Sequence, residues 1–330
     1  MHKIPAPIPT RHPRLSRTAA GLLGVAALIA AAGPVSASPG HHGPGDNPPE
    51  SIELPNASSA EGIAAGQGSS FYAGDLFEGD IYRGSLNKGT AKEIIDAPDG
   101  RKAVGMDFNK RHDLLAVAGG DTGQAYFYDT DTGETVAKYQ LAQAGSSFIN
   151  DVTLTRRGAW FTNSLKGELY FVPIDRHNGE PGKARTLDLK GPASETPGAF
   201  NLNGIAVAED GRTLVVAHSA KASLFTVNAR SGESRLISNL DLPFVDGIEI
   251  DGRNVWAVQN TINQVSRIRV SDDLRRGKVK EIITAELFET PTTAALIGDD
   301  LAVINAKFNT GFPPTADTYE AVIVDAFGED

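Results

Sequence analysis

Asn203-Gly204-Ile205-Ala206 opens a pattern that decides the fold: a polar residue, a short alternating strand, a tight turn and a second apolar strand. The pattern recurs six times, beginning at Glu61-Gly62-Ile63-Ala64, Val104-Gly105-Met106-Asp107, Asn150-Asp151-Val152-Thr153, Asn203-Gly204-Ile205-Ala206, Asp246-Gly247-Ile248-Glu249 and Thr292-Thr293-Ala294-Ala295. Successive starts are 43, 46, 53, 43 and 46 residues apart. Such periods are typical of four-stranded propeller blades. The sequence therefore predicts an all-β, six-bladed β-propeller with antiparallel blades over residues 51–330.

Turn residues support the same register. A glycine in a turn context follows each of the first five starts by 28 to 31 residues, at Gly89, Gly133, Gly179, Gly232 and Gly277. Glycine takes positive φ without penalty, so we expect a hairpin there between the third and fourth strands. The sixth blade lacks a fourth strand of its own, and Ser51-Ile52-Glu53-Leu54 could supply it and close the ring. A β-sandwich or a two-domain chain is the alternative, but neither explains a sixfold register.

The N-terminal residues have the layout of a secretory signal. Arg11, Arg14 and Arg17 precede an apolar run over residues 19–32, and small residues follow at Val35-Ser36-Ala37. The run is shorter than the ~20 residues of a membrane span. We predict a signal peptide at residues 1–37, a flexible linker at 38–50 and a secreted, extracellular protein. An uncleaved membrane anchor is the alternative; after cleavage we expect no membrane association.

Charge and cysteine content narrow the class of partner. The chain has a formal net charge of −10 at pH 7, and it has no cysteine. An acidic chain lacks the basic stripe that nucleic-acid binding requires. With no disulfides, stability must come from the core. The sequence contains no nucleophile elbow, no P-loop and no dinucleotide-binding glycine motif. We expect a monomer that acts on a small-molecule substrate and not on nucleic acid.

Blade-start positions carry the candidate chemistry. The first strand of each propeller blade lines the central channel, so equivalent positions face one another around the axis. Four of the six starts offer carboxylate or amide oxygens: Glu61, Asn150, Asn203 and Asp246. Two carboxylates crowded together repel unless a cation or proton lies between them. Oxygen ligands favour Ca²⁺ over softer metals, so we predict a divalent cation site. Alternatively, Asn and Asp merely open these strands as turn residues, which explains Glu61 poorly.

A second layer of polar residues is expected at the ends of the second strands, beside the blade starts. It comprises Asn163, His218, Gln259 and Asn305. These side chains could hydrogen-bond a polar substrate; the alternative is a satisfied polar network that caps strand ends. Long connections at residues 190–202 and 307–317 are expected on the same face, where loops commonly shape a binding site.

The short phrases Phe148-Ile149-Asn150-Asp151-Val152, Asn203-Gly204-Ile205-Ala206, Asp246-Gly247-Ile248 and Glu61-Gly62, in this order, resemble the senescence-marker-protein/gluconolactonase/luciferin-regenerating-enzyme family of regucalcin-like propellers. The resemblance covers about residues 50–328. It implies a catalytic cation held by the Glu, two Asn and Asp that correspond to Glu61, Asn150, Asn203 and Asp246. It also implies hydrolysis of lactones or related esters and phosphotriesters, with Asp246 as general base or nucleophile. The other class left open is a non-enzymatic extracellular propeller that binds a ligand or partner around a structural ion.

Overall fold

Six four-stranded antiparallel sheets arise from the six repeats in residues 48–328, the part of the chain that the computed structural model describes. Blade one contains β2 Ile63–Ala65, β3 Ser70–Gly74, β4 Ile81–Ser85 and β5 Thr90–Ile95. Blade two contains β6 Met106–Asn109, β7 Leu114–Ala118, β8 Gln124–Asp129 and β9 Thr135–Gln140. Blade three contains β10 Ile149–Thr155, β11 Gly158–Asn163, β12 Glu168–Pro173 and β13 Arg185–Asp188. The six-bladed propeller predicted from the sequence is confirmed.

The remaining blades follow the same order. Blade four contains β14 Leu202–Val207, β15 Thr213–His218, β16 Ser223–Asn228 and β17 Ser234–Leu236. Blade five contains β18 Val245–Asp251, β19 Asn254–Gln259, β20 Gln264–Val270 and β21 Gly277–Ile283. Blade six contains β22 Pro291–Ile297, β23 Asp300–Asn305, β24 Tyr319–Asp325 and the N-terminal β1 Ser51–Leu54. Four short 3₁₀ turns lie at Pro192–Ser194, Ser219–Lys221, Asn260–Ile262 and Phe308–Thr310.

Strand β1 closes the ring. It pairs antiparallel with β24, from Ser51 opposite Val322 to Leu54 opposite Tyr319. Ile52 and Leu54 are buried within the cluster that joins blades six and one. The strand that lies earliest in the described sequence thus completes the last blade, as predicted, and removes the free edge that β24 would otherwise present.

Packing between neighbouring blades forms the core. The second strand of each blade is mostly apolar in its middle because it is covered on both faces, as in β7, where all five residues are buried. The fourth strand alternates instead, as in β9, where exposed residues separate partly covered ones. Aromatic pairs bridge blades, for example Phe127 of blade two and Phe161 of blade three, whose ring centroids are 6.1 Å apart.

The predicted glycine has the expected positive φ, in the turn between the third and fourth strands, in four of the five blades. Gly89, Gly133, Gly179 and Gly232 all have positive φ, between 63° and 78°. The prediction is wrong for Gly277, which begins β21. In blade five the left-handed position of the turn is taken by Leu274, with φ 53°, whose N–H donates to the Ser271 carbonyl.

The predicted signal peptide at residues 1–37, and most of the predicted linker at 38–50, lie outside the described residues. Within residues 48–328, helices are confined to single 3₁₀ turns, and none has the length or apolar character needed to cross a membrane.

Candidate functional site

Four blades each bring one predicted ligand to the same cavity. The cavity has a volume of about 560 Å³, and its lining includes Glu61, Asn150, Asn203 and Asp246. These four side chains are only 5% to 8% exposed, so they form the buried end of the cavity. Residues separated by up to 185 positions in the sequence therefore meet in space.

Local backbone geometry explains how three of the four are presented. Asn150, Asn203 and Asp246 each occupy the second position of an inner strand. At that point the pairing with the second strand shifts register, between Ile149 and Val152 in blade three and at the equivalent places in blades four and five. A bulge bends the strand and re-aims a side chain. Glu61 lies just before β2, where its N–H donates to the Gly74 carbonyl at 3.3 Å.

Serine hydroxyls orient the two asparagines. Asn150 Nδ2 donates to Ser164 Oγ at 2.9 Å, and Asn203 Nδ2 donates to Ser219 Oγ at 3.0 Å. Each hydroxyl also donates to a backbone carbonyl of the next blade, at 2.7 Å in both cases. Because the amide nitrogens are held in this way, the amide oxygens are the atoms left for a ligand.

Asp246 has an orienting partner at the equivalent position. Asn260 Nδ2 donates to Asp246 Oδ2 at 2.8 Å. Ser164, Ser219 and Asn260 each directly follow the second strand of their blade. Sequence reasoning missed this layer, although the repeat register that placed Asn163, His218 and Gln259 would have located it one residue further on.

The four polar residues predicted to contact a substrate lie inside the blades and do not line the cavity. Asn163, His218, Gln259 and Asn305 are at most 1% exposed, and none lines the cavity. Side chains alternate across a strand, so a step of one residue moves a side chain to the other face. These four residues point into their own blades, whereas the residues that follow the first three, Ser164, Ser219 and Asn260, bond the candidate ligands.

Hydrogen bonds within the blades occupy these buried side chains. Asn163 Oδ1 accepts from the N–H groups of Phe148 and Leu165, each at 3.1 Å. Gln259 Nε2 donates to the Pro243 carbonyl at 2.9 Å, and Asn305 Oδ1 accepts from Glu289 N at 2.9 Å. His218 Nε2 lies 2.8 Å from the Glu195 carbonyl. These contacts connect loops to strand ends, as the alternative of a polar network predicts. Among the described residues, however, His218 Nδ1 is buried without a hydrogen-bond partner.

The two carboxylates of the cavity, Glu61 and Asp246, have no cationic side chain beside them among its lining residues. Burial, reinforced by Asp246 and Asp151, raises the pKa of Glu61 well above its usual value. Burial likewise raises the pKa of Asp246, although hydrogen bonds from Asn260 and Asn203 oppose the shift. No Lys, Arg or His side chain is among the residues that line the cavity. A proton or a bound cation would therefore relieve the repulsion at this end of the cavity.

Deeper in the channel, three further carboxylates link neighbouring inner strands. Asp107 Oδ2 accepts from Leu154 N at 2.7 Å, and Asp151 Oδ2 accepts from Ile205 N at 2.9 Å. Burial raises the pKa of Asp107 to about 6, of Asp151 to about 7 and of Glu249 to about 8. Sequence reasoning did not single out these side chains.

The four oxygen donors of the cavity fit a hard cation if the amide oxygens of Asn150 and Asn203 are ligands. Among residues 48–328, no three His, Cys, Asp or Glu side chains cluster as a metal site would require. Any ion bound here would depend on Asn150 and Asn203 as well as on the two carboxylates. Two charged and two neutral oxygen donors match the ligand preference of Ca²⁺ and do not match that of zinc or copper.

Comparison with known proteins gives similarity of fold. No sequence family matches the chain, and no curated protein sequence matches it. A calcium-binding protein, regucalcin, from Agrobacterium tumefaciens is 17% identical, with a TM-score of 0.58 over 84% of this chain and 97% of the other. Virginiamycin B lyase from Staphylococcus aureus is 16% identical, with a TM-score of 0.55 over 78% and 80%. The major allergen of Malassezia sympodialis is 12% identical, with a TM-score of 0.63 over 86% and 98%.

Proposed function

We propose that the protein is an exported, divalent-metal-dependent hydrolase of lactones or related esters and phosphotriesters, with Ca²⁺ as the metal. One observation carries the proposal: four oxygen-bearing side chains from four different blades form the buried end of a single cavity, and no cationic side chain lines it. Regucalcin, one of the solved structures similar in fold, is described as calcium-binding. Its similarity in fold agrees with this assignment.

The residues of the site divide into holding and reacting roles. Glu61, Asn150, Asn203 and Asp246 would hold the ion, which would supply Lewis-acid polarisation of the substrate's carbonyl or phosphoryl oxygen. Asp246, oriented by Asn260, takes the proton of the attacking water. In lactone hydrolysis the water oxygen bonds to the carbonyl carbon, the ring C–O bond breaks, and the proton passes to the departing alkoxide. The product is a hydroxy acid.

Asp246→Asn tests the catalytic assignment. We expect kcat to fall by about 10²–10⁴-fold on a panel of lactones, aryl esters and phosphotriesters with Ca²⁺, because the amide keeps an oxygen but loses its basicity. The matched control is Asp251→Asn, an exposed carboxylate at the end of the same strand. Circular dichroism and the melting temperature should show both variants folded. Unchanged activity in Asp246→Asn would reject this role for the residue.

Calcium binding is tested separately from turnover. Ca²⁺ should raise the melting temperature of metal-stripped protein progressively with concentration, since a ligand that binds only the native state stabilises it by RT ln(1 + [L]/Kd). Glu61→Gln should weaken the effect by removing one of two carboxylates. Calcium-dependent stabilisation without hydrolysis of any substrate would favour the second candidate, a ligand-binding propeller with a structural ion.

Export is tested by mass spectrometry of secreted protein, with a mature start expected near Ser38.

A further inference from the structure

Phenylalanines surround the open end of the same cavity. Five of its lining residues are Phe148, Phe200, Phe244, Phe308 and Phe312. They belong to the connections before β10, β14 and β18 and to the long connection of blade six. Soluble proteins seldom leave several large aromatic side chains exposed together, and such a patch usually marks a binding site. Here it adjoins the buried oxygen donors.

Ring contacts order four of these five phenylalanines, which form the aromatic wall of the cavity, and much of the wall stays exposed. Phe148 and Phe200 pack edge to face with ring centroids 5.2 Å apart, and Phe308 and Phe312 do so at 5.6 Å. Phe200 is nevertheless 45% exposed, Phe244 50% and Phe312 69%. Edge-to-face pairs order aromatic rings without burying them completely. The aromatic surface is therefore preformed and open to a ligand.

Backbone strain at Phe244 is a second sign of function. Its φ is 60°, in the left-handed region that a bulky side chain rarely adopts. The side chain is half exposed, so little burial compensates for the strain. Residues in strained backbone conformations concentrate at functional sites, and Phe244 lines the cavity.

The lysines around this face are engaged elsewhere. Lys102 Nζ lies 2.9 Å from Asp121, Lys221 Nζ lies 2.9 Å from Glu195, and Lys307 Nζ lies 2.8 Å from Glu320. None of the three lysines lines the cavity. With Ca²⁺ bound, the ion and the two carboxylates would sum to zero charge. No cationic side chain among the lining residues would then compensate an anionic substrate, so the cavity suits an uncharged one.

We propose that the cavity takes a neutral, lipophilic substrate, whose ester, lactone or phosphoryl oxygen lies at the buried donors and whose alkyl or aryl group lies against the phenylalanines. The identity of the reacting group rests on the proposed hydrolase function; the lipophilic character rests on the aromatic wall alone. A volume of about 560 Å³ is within the usual range for sites that enclose a medium-sized organic ligand. A polyhydroxylated sugar lactone would leave its hydroxyl groups against apolar rings, without hydrogen-bond partners.

Binding can be measured without catalysis. The probe is N-phenyl-1-naphthylamine, which is uncharged and fluoresces in apolar surroundings; the competitors are γ-lactones with alkyl chains of increasing length. We expect the competitor Kd to fall by about fourfold for each methylene buried, until the cavity is filled. Gluconolactone should not displace the probe. Equal displacement by gluconolactone, or no dependence on chain length, would overturn the inference.

Phe244→Asn separates ligand binding from folding. Asparagine tolerates positive φ, so the melting temperature should stay the same or rise. The Kd for the probe and for the long-chain lactones should rise at least about tenfold. The matched control is Ile282→Asn: Ile282 is 49% exposed in the same blade but lies on the outermost strand β21. If Phe244→Asn binds the long-chain lactones as well as the wild type does, the inference is wrong.

The two proposals fail in different ways. Displacement that follows chain length, without hydrolysis of any lactone or ester in the presence of Ca²⁺, would uphold the ligand class and reject the hydrolase. Hydrolysis with a higher kcat/KM for gluconolactone than for alkyl lactones would uphold the hydrolase and reject the ligand class. Hydrolysis whose kcat/KM rises with chain length, and falls in Phe244→Asn, would support both.

Discussion

At the scale of single residues, the two serines beside the asparagines connect the site to the ring. Ser164 accepts from Asn150 and donates to the Leu202 carbonyl, so one hydroxyl joins blade three to blade four. Ser219 joins blade four to blade five in the same way. A short hydroxyl can accept and donate at once, which lets it hold an amide in one orientation. Residues that orient metal ligands often influence affinity nearly as much as the ligands do.

Removing these hydroxyls should weaken the ion site and leave the fold intact. We expect Ser164→Ala and Ser219→Ala each to raise the Kd for Ca²⁺ by about 10–100-fold, because the amide is then free to rotate. Isothermal titration calorimetry on metal-stripped protein measures the change. The control is Ser231→Ala in the exposed turn between β16 and β17. Unchanged affinity in both variants would mean that the serines do not orient the asparagines for the ion.

At the scale of elements, inner strands of adjacent blades approach closely at the glycine that follows four of the six starts. A Cβ on Gly204 would lie 2.6 Å from Ile248 N and 2.7 Å from the Asp246 carbonyl, and one on Gly62 would lie 1.9 Å from the Val104 carbonyl. Backbone atoms cannot move aside as the end of a flexible side chain can. Glycine at this position therefore lets the inner strands converge and brings the neighbouring ligand residues together.

Gly204→Ala should disturb both stability and the site. Forcing β14 away from β18 would cost about 1–3 kcal/mol of unfolding free energy and would move the backbone that carries Asp246, so the Kd for Ca²⁺ should rise as well. Chemical denaturation and calorimetry measure the two effects. The control is Gly211→Asn in the β14–β15 turn, where φ is 62° and nothing lies within 4 Å of the added Cβ. Equal stability of the two variants would contradict the close approach.

At the scale of the whole molecule, closing six blades into a ring concentrates acidic groups around one axis. Glu61, Asp107, Asp151, Asp246 and Glu249 all have raised pKa values, chiefly because of burial. In the unfolded chain the same groups have pKa values of about 4. At pH values between about 4 and the raised pKa values of the folded protein, the folded state therefore binds more protons than the unfolded state.

This difference sets the sign of the pH dependence. Stability contributed by the protonated channel groups is fully present below pH of about 4 and is lost as pH rises through the folded pKa values. Burial lowers the pKa of His218, so that histidine opposes the trend only in acid. From pH 6.5 to 8.5, the melting temperature of metal-stripped protein should fall. Saturating Ca²⁺ should reduce that fall, because the ion replaces the protons lost at the buried end of the cavity. A melting temperature that rises over this range without metal would contradict the assignment.

The sequence by itself determined the architecture and the register. Six blades could be predicted from the spacing of 43 to 53 residues and from the recurring turn residues. The closing role of Ser51–Leu54 could be predicted because the sixth repeat has too little chain for a fourth strand. The same register identified Glu61, Asn150, Asn203 and Asp246 as residues that would face one axis, and they line one cavity. These features follow from local periodicity, because each repeat forms the same antiparallel unit.

Only the tertiary structure decided what surrounds those four side chains. The residues at the ends of the second strands, such as Asn163, point into the blades, whereas Ser164 reaches the site. A bulge in the inner strands changes the register there, and a shift of one residue exchanges the two faces of a strand. The five phenylalanines that line the cavity and the channel carboxylates also come together only through contacts between blades. Periodicity along the chain describes one blade at a time, so it cannot specify how loops from different blades meet across the axis.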